Sequence, residues 1–240
     1  MSHGIVLLSG GIDSATCFAM AVSEHDRVTP LHIQYGQQTA DLEQMQAEAL
    51  VSYFQAVEGQ KTTIEDVVVI DYTDVFKYFA DGVASDRQSF VTHSGSLEER
   101  DGRSTGYVPM RNLHFIATGA GYADFFDADA VYIGVQGGDY HAYPDCRPGF
   151  IVSAFSAVNR SLPEGQTIDI KTPLVDKTKV EVIETGEAFG VPWEATYSCY
   201  QEVHNLEAPT PCGQCPACKE RAEAFEEAGV SDPFAVEVDV

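Results

Sequence analysis

Short apolar runs separated by longer stretches of helical periodicity set the organisation of the chain. Residues 5–8, 28–33, 67–70, 130–135 and 167–170 read as buried strands, each followed after a gap by an amphipathic pattern. The predicted helices are 14–23, 41–54, 112–126, 150–158, 179–189 and 218–228. Strands alternating with helices predict an α/β fold, a doubly wound parallel sheet covered on both faces. Pro30 counts against the second strand, because proline withholds a donor from the ladder.

Two stretches break the alternation. Residues 81–106 turn polar and carry Gly82, Gly95, Gly102, Gly106 and the charged run Glu98-Glu99-Arg100-Asp101, the signature of a long mobile loop that closes over a site. After residue 191 prolines and cysteines replace periodicity, so we expect an α/β domain over 1–190 and a small stapled region with a final helix over 191–240. No run of eighteen apolar residues and no basic leader is present, which predicts a soluble, cytoplasmic protein without a membrane partner.

Charge narrows the partners. The chain holds 14 Lys+Arg against 37 Asp+Glu, a net charge of −23, which opposes binding to nucleic acid or anionic lipid. With 10% aromatic residues and clear periodicity the acidity does not signify disorder, and adaptation to a salt-rich cytosol is the expectation.

Chemistry concentrates where strands give way to helices. Ser9-Gly10-Gly11-Ile12-Asp13-Ser14 follows the first strand and opens the first helix: two glycines clear space for backbone N–H groups, two serines add hydroxyls, and the helix dipole favours an anion. It lacks the Gly-Lys-Ser/Thr ending of a Walker loop and matches instead the pyrophosphatase loop of enzymes that split ATP between its α- and β-phosphates. Val108-Pro109-Met110-Arg111-Asn112 puts Arg111 and Asn112 at a helix start facing the same sheet edge, where they can hold an anion or a base edge. In the loop 134–147, Tyr140 and Tyr143 can stack on a flat heterocycle, Asp139 or Asp145 can accept from its amino edge, and Arg147 can pair with a carboxylate. Lys171, Lys177 and Lys179 bring three of the few cations to one strand–helix junction, and Lys179 is the candidate for neutralising phosphate charge.

Cys199, Cys212, Cys215 and Cys218 provide four thiolates at metal-site spacing. Tetrahedral zinc in a closed, structural site is the expected occupant, an iron–sulfur cluster the alternative. His204 between the ligands reads as a polar loop residue, Cys17 as core and Cys146 as a pocket thiol.

In order and spacing these motifs resemble the zinc-containing 7-cyano-7-deazaguanine synthases over almost the whole chain. The resemblance implies the pyrophosphatase-loop ATPase fold, related to the adenine nucleotide α-hydrolases, with a C-terminal zinc-binding region. It also implies ATP-dependent conversion of 7-carboxy-7-deazaguanine and ammonia to the nitrile through an adenylated acid and an amide, serving queuosine or archaeosine formation, with Mg²⁺ on the nucleotide, one zinc per subunit and a homodimer. Carried onto this chain, the nucleotide site comprises Leu8, Ser9, Gly10, Gly11, Ile12, Asp13, Ser14, Ala15, Thr16, Cys17, Phe18, Gln34, Tyr35 and Gly36. The acid falls to Arg111, Asn112, Asp139, Tyr143, Asp145 and Arg147, and the catalytic set is Ser9, Asp13, Arg111, Asp145 and Lys179. Met110 departs from the family pattern, standing where a small residue is commoner.

Overall fold

The computed structural model describes residues 1–76, 108–201 and 205–235; the expected loop over 81–106 and His204 lie outside them. Six parallel strands form one sheet: β1 His3–Leu7, β2 Arg27–Gln34, β3 Thr63–Ile64, β4 Val68–Asp71, β5 Ala130–Tyr132 and β6 Asp169–Lys171. The order is β3-β2-β1-β5-β6, with β4 also on β2. Alternation along the strands divides the core. Val6, Val28 and Tyr132 face α1 (Ile12–Glu24), α2 (Ala40–Ala56), α7 (Lys179–Ala188) and α8 (Pro216–Ala228), whereas Ile5, Leu31 and Val131 face α4 (Arg111–Phe126) and α6 (Pro148–Ser161). Two short helical segments, α3 (Thr73–Phe76) and α5 (Asp139–Ala142), are the other α-helices among the described residues.

Pro30 proves compatible with an interior strand because β2 changes neighbours beside it. β3 pairs with Arg27 and Val28, and β4 pairs with residues from Leu31 onward. The carbonyl of Val28 accepts from Glu65 N on that side, so Pro30, two residues on, presents its missing donor to the interval between the two short strands.

The region after residue 191 packs into the main core. Trp193 and Phe225 meet edge to face among the side chains of α1 and α7. Arg221 is 5% exposed, pairs with Asp232 at 2.8 Å and donates to Thr196 Oγ1 at 3.1 Å, while its guanidinium lies over Phe225 and Phe234. Breaking such a pair from one side costs roughly 3–5 kcal/mol, because the remaining charge stays buried.

Met110 heads α4 with φ 58° and ψ 20°, the left-handed region, and its side chain is 55% exposed. This conformation costs a side-chain-bearing residue roughly 1–2 kcal/mol and glycine almost nothing, which gives a physical reason for a small residue here. Met110→Gly is therefore expected to raise stability by up to about 1 kcal/mol after glycine's own unfolded-state entropy is set against it. Thermal melting checks this; a lower melting temperature would contradict it.

Candidate active site

The C-terminal ends of the strands open into a cavity of about 290 Å³. One end is the glycine turn. Gly10 has φ 79°, and an added Cβ would lie 2.8 Å from Glu43 O and Gln46 Cβ of α2, so only glycine fits. Helix α1 starts at Ile12 with Gly11 as its cap and no side chain bonded to the first turn, leaving its N-terminal N–H groups facing the cavity walls formed by Gly11, Ile12, Asp13 and Ser14. Ser14 Oγ receives the Ser9 N–H at 3.2 Å and lies 3.1 Å from Ser9 Oγ, which ties the turn together. Gly134 closes this end from β5: a Cβ there would fall 3.0 Å from the Asp13–Ser14 backbone.

Lys179, the first residue of α7, reaches across and donates to both oxygens of Asp13, at 2.9 and 2.7 Å. Burial works against its charge, and Asp13 and Glu220 more than offset this, holding the ammonium above the usual lysine range. Of the other lysines at this junction, Lys171 turns to Glu24 at 2.6 Å. Asp139 also faces the cavity; burial first and the nearby Asp13 second raise its carboxyl to about 6.

The other end is built on Arg111. Its guanidinium donates to Tyr35 Oη at 3.3 Å and lies 5.6 and 5.8 Å from the rings of Tyr35 and Tyr143. Asn112 Nδ2 reaches Cys146 Sγ at 3.2 Å, and Phe115, Ile133 and Val135 supply apolar wall. Burial and the charges of Asp139 and Asp145 push the Cys146 thiol up to about 12, which leaves it protonated and a poor nucleophile.

Several residues assigned from the sequence stand elsewhere. Asp145 is 7% exposed and does not line the cavity; its carboxylate accepts the Asn112 N–H at 2.9 Å, supplying a partner to an orphan donor of α4 and steadying Arg111 and Asn112. Arg147 lies outside too, its Nε donating to Tyr140 O at 3.2 Å. Ala15, Thr16, Cys17 and Phe18 point into the core at 0% exposure, because the helix carries their side chains away from the turn. Gln34 turns to Gln44 at 2.9 Å, and Gly36 lies beyond the cavity wall, while Tyr35 faces inward.

Other lining residues were not foreseen. Gln37 and Thr39 enter from the β2–α2 connection and Glu43 from the first turn of α2, and Tyr197, Ser198, Tyr200 and, on α8, Glu220 from the cysteine-bearing region. Glu43 accepts from Gln37 Nε2 at 2.9 Å and from Thr39 Oγ1, and burial raises its carboxyl. An acid in the first turn of a predicted helix is a weak signal without the fold.

The sulfurs of Cys199, Cys212, Cys215 and Cys218 lie within 4.8 Å of one another, with Cys212 and Cys218 at 3.9 Å. Tetrahedral zinc with bonds of about 2.3 Å spaces its sulfurs by roughly 3.8 Å, so the four fit one ion, whereas a multi-iron cluster holds its thiolates farther apart. Backbone N–H groups of Cys212 and Cys215 point at sulfur, at 3.4 and 3.3 Å. The centre touches the glycine turn directly: Tyr197 N donates to Gly10 O at 3.0 Å, and Cys199 itself lines the cavity.

Comparison with known proteins decides the family. Residues 3–229 match the family described as queuosine biosynthesis protein QueC. The chain belongs to the QueC family. It is 35% identical to the 7-cyano-7-deazaguanine synthase of Methanoculleus marisnigri over 99% of this chain and 100% of that protein. It is also 35% identical to that of Halobacterium salinarum, over 97% and 94%. QueC relatives of this kind are enzymes, and the chain is one of them. Among solved structures, a 4-thiouridine synthetase in complex with RNA and bound ATP superposes with a TM-score of 0.51 at 13% identity, covering 95% of this chain and 50% of that one, a likeness of fold.

Proposed function

We propose that this QueC enzyme uses ATP to convert 7-carboxy-7-deazaguanine and ammonia into 7-cyano-7-deazaguanine, for deazaguanine modification of tRNA. The observation that carries this reading is one cavity joining an uncapped helix N-terminus and Lys179 to an aromatic, guanidinium-bearing corner. Phosphates suit the first end and a flat, anionic heterocycle the second. Ser9 and Ser14 orient the turn, the N–H groups of α1 take the phosphate oxygens, and Lys179 moves from Asp13 onto the charge that grows as pyrophosphate leaves. Asp13 is the oxygen ligand on offer to Mg²⁺ carried by the nucleotide, which supplies charge neutralisation there. Arg111 and Asn112 hold the carboxylate while Tyr143 packs against the ring. Cys199, Cys212, Cys215 and Cys218 would hold a zinc ion, whose contribution there would be structural. The acid is activated by adenylation, and the protonated Cys146 thiol serves as pocket wall beside Asn112.

Isotope exchange between pyrophosphate and ATP tests the activation step. Exchange that depends on the 7-carboxy acid is expected; exchange indifferent to it, or supported only by another carboxylic acid, would overturn the assignment.

The reading includes a cytoplasmic homodimer. No helix among the described residues is long and apolar enough to cross a membrane. Helix α6 contains no acid and α4 only Asp124, whereas α8 contains four glutamates, so the α4–α6 side is where two copies of so acidic a chain repel least. Leu113, Phe125 and Val152 stand exposed there, Phe125 at 81%. Phe125→Glu is expected to shift the sedimentation coefficient from dimer to monomer, and an unchanged dimer would remove this face from consideration.

A further inference from the structure

Making a nitrile from an acid and ammonia strips protons from nitrogen repeatedly, and none of the residues discussed above removes them. When ammonia bonds to the adenylated carboxyl, one N–H proton must leave as the C–O bond breaks and its electron pair departs with AMP. In the second activation the amide oxygen bonds to the α-phosphorus of a further ATP and pyrophosphate leaves. The nitrogen then loses one proton to become a neutral imidate. It loses another as the N–H pair becomes the third carbon–nitrogen bond and the C–O pair leaves with AMP.

Among the described residues four carboxylates face the cavity: Asp13, Glu43, Asp139 and Glu220. Asp13 has both oxygens on Lys179, and once Lys179 moves to the phosphates those oxygens are the ones on offer to Mg²⁺. Glu43 has one oxygen on Thr39 and the other on Gln37. Glu220 is 50% exposed at the rim, 3.7 Å from Lys179. Asp139 differs from all three. Its Oδ2 accepts the Gln136 N–H at 3.1 Å, and among the described residues no donor reaches Oδ1. Its location joins the two halves of the cavity: it interacts electrostatically with Asp13, Lys179 and Glu220 at the phosphate end, and with Cys146, which touches Asn112 beside Arg111, at the other.

We propose that Asp139 is the base that takes these protons from nitrogen one at a time, passing each to water before the next. The inference rests on the nitrile-synthase reading and adds a role to it. Burial and the charge of Asp13 set the carboxyl near 6, so it is ionised at neutral pH yet more basic than a free aspartate. The charged and titratable groups facing it are Asp13 from α1, Lys179 from α7, Glu220 from α8 and Cys146, with Tyr140 adjacent in sequence. Nitrile formation should therefore rise with pH through about 6.

Asp139→Asn keeps an oxygen for the Gln136 N–H and removes the base, so the test compares this variant with wild type and Asp139→Glu in the full chain at high salt. Nitrile formation is expected to fall roughly 10²–10⁴-fold with loss of its acid limb, while acid-dependent pyrophosphate–ATP exchange, which takes no proton from nitrogen, falls far less. Asp139→Glu should recover part of the rate together with the limb. The melting temperature should hold or rise, since the substitution removes a half-buried charge beside Asp13. Nitrile formation within about threefold of wild type would overturn the proposal, and so would exchange falling in step with it, which would make Asp139 a scaffold of the phosphate turn. Wild-type protein that forms no nitrile would sink the underlying reading, and the proposal with it, before any substitution is compared.

Discussion

Lys179→Ala is expected to lower the turnover number by roughly 10²–10³-fold, with a much smaller change in KM for the acid. The side chain is 14% exposed and bonded to Asp13, a state in which its charge is stored beside the phosphate turn. An ammonium held there interacts more strongly with the charge that develops on departing pyrophosphate than with ground-state ATP, so its loss falls on the chemical step. Alanine also leaves Asp13 without its partner, and the half-buried carboxylate then raises the local negative potential against incoming nucleotide. Lys179→Arg should retain charge but replace a compact ammonium by a broad planar guanidinium, and recover only part of the rate. Steady-state kinetics on folded variants checks this; a turnover number within about threefold of wild type for the alanine variant would contradict the role.

Cys215→Ser is expected to abolish the metal centre and to weaken nucleotide binding at a distance. Cys215 is 1% exposed, and its loss leaves three thiolates around a position that four hold within 4.8 Å. Structural zinc contributes on the order of 10 kcal/mol to small metal-dependent units. Part of that stabilisation is retained here by the packing of Phe225 and Trp193 and by the Arg221–Asp232 pair, so a fall of roughly 10–20 °C in melting temperature is expected rather than global unfolding. Because Tyr197 N holds Gly10 O, loosening this region frees the turn proposed to receive the phosphates. Metal analysis should find zinc near one equivalent in wild type and near none in the variant, and the melting temperature of the variant should no longer rise with ATP. Full nucleotide-induced stabilisation without metal would separate the two sites.

Much of the fold is legible because its signals are local. The apolar runs at β1, β2, β4, β5 and β6 are short and bounded by turns, and the Ser9–Ser14 turn sits in register after the first. Pro30 misleads because the rule against interior proline presumes one continuous neighbour, and β2 has two in succession. β3, at two residues, is too short to carry a pattern. Met110 can be noticed as odd in the sequence, but its left-handed backbone is a property of the chain entering α4.

The site is less legible than the sheet. Glycines and the four cysteines declare themselves by spacing, whereas the roles of carboxylates depend on which donors reach them. Asp145 and Asp139 sit six residues apart in the same loop, yet one spends an oxygen on the start of α4 and the other faces the cavity with an oxygen to spare. Glu43 and Tyr200 arrive from elements whose approach only tertiary packing sets. The motif stretch extends too far for the same reason: beyond Ser14 the helical period turns side chains inward, and residues 15–18 belong to the core.

The most direct measurement incubates zinc-replete protein at high salt with ATP, Mg²⁺, ¹⁵N-ammonium and 7-carboxy-7-deazaguanine, and follows products by mass. The expected result is 7-cyano-7-deazaguanine bearing one ¹⁵N, formed with AMP and pyrophosphate. ATP cleavage without the labelled nitrile, or no turnover by folded, metal-loaded protein, would contradict the assignment.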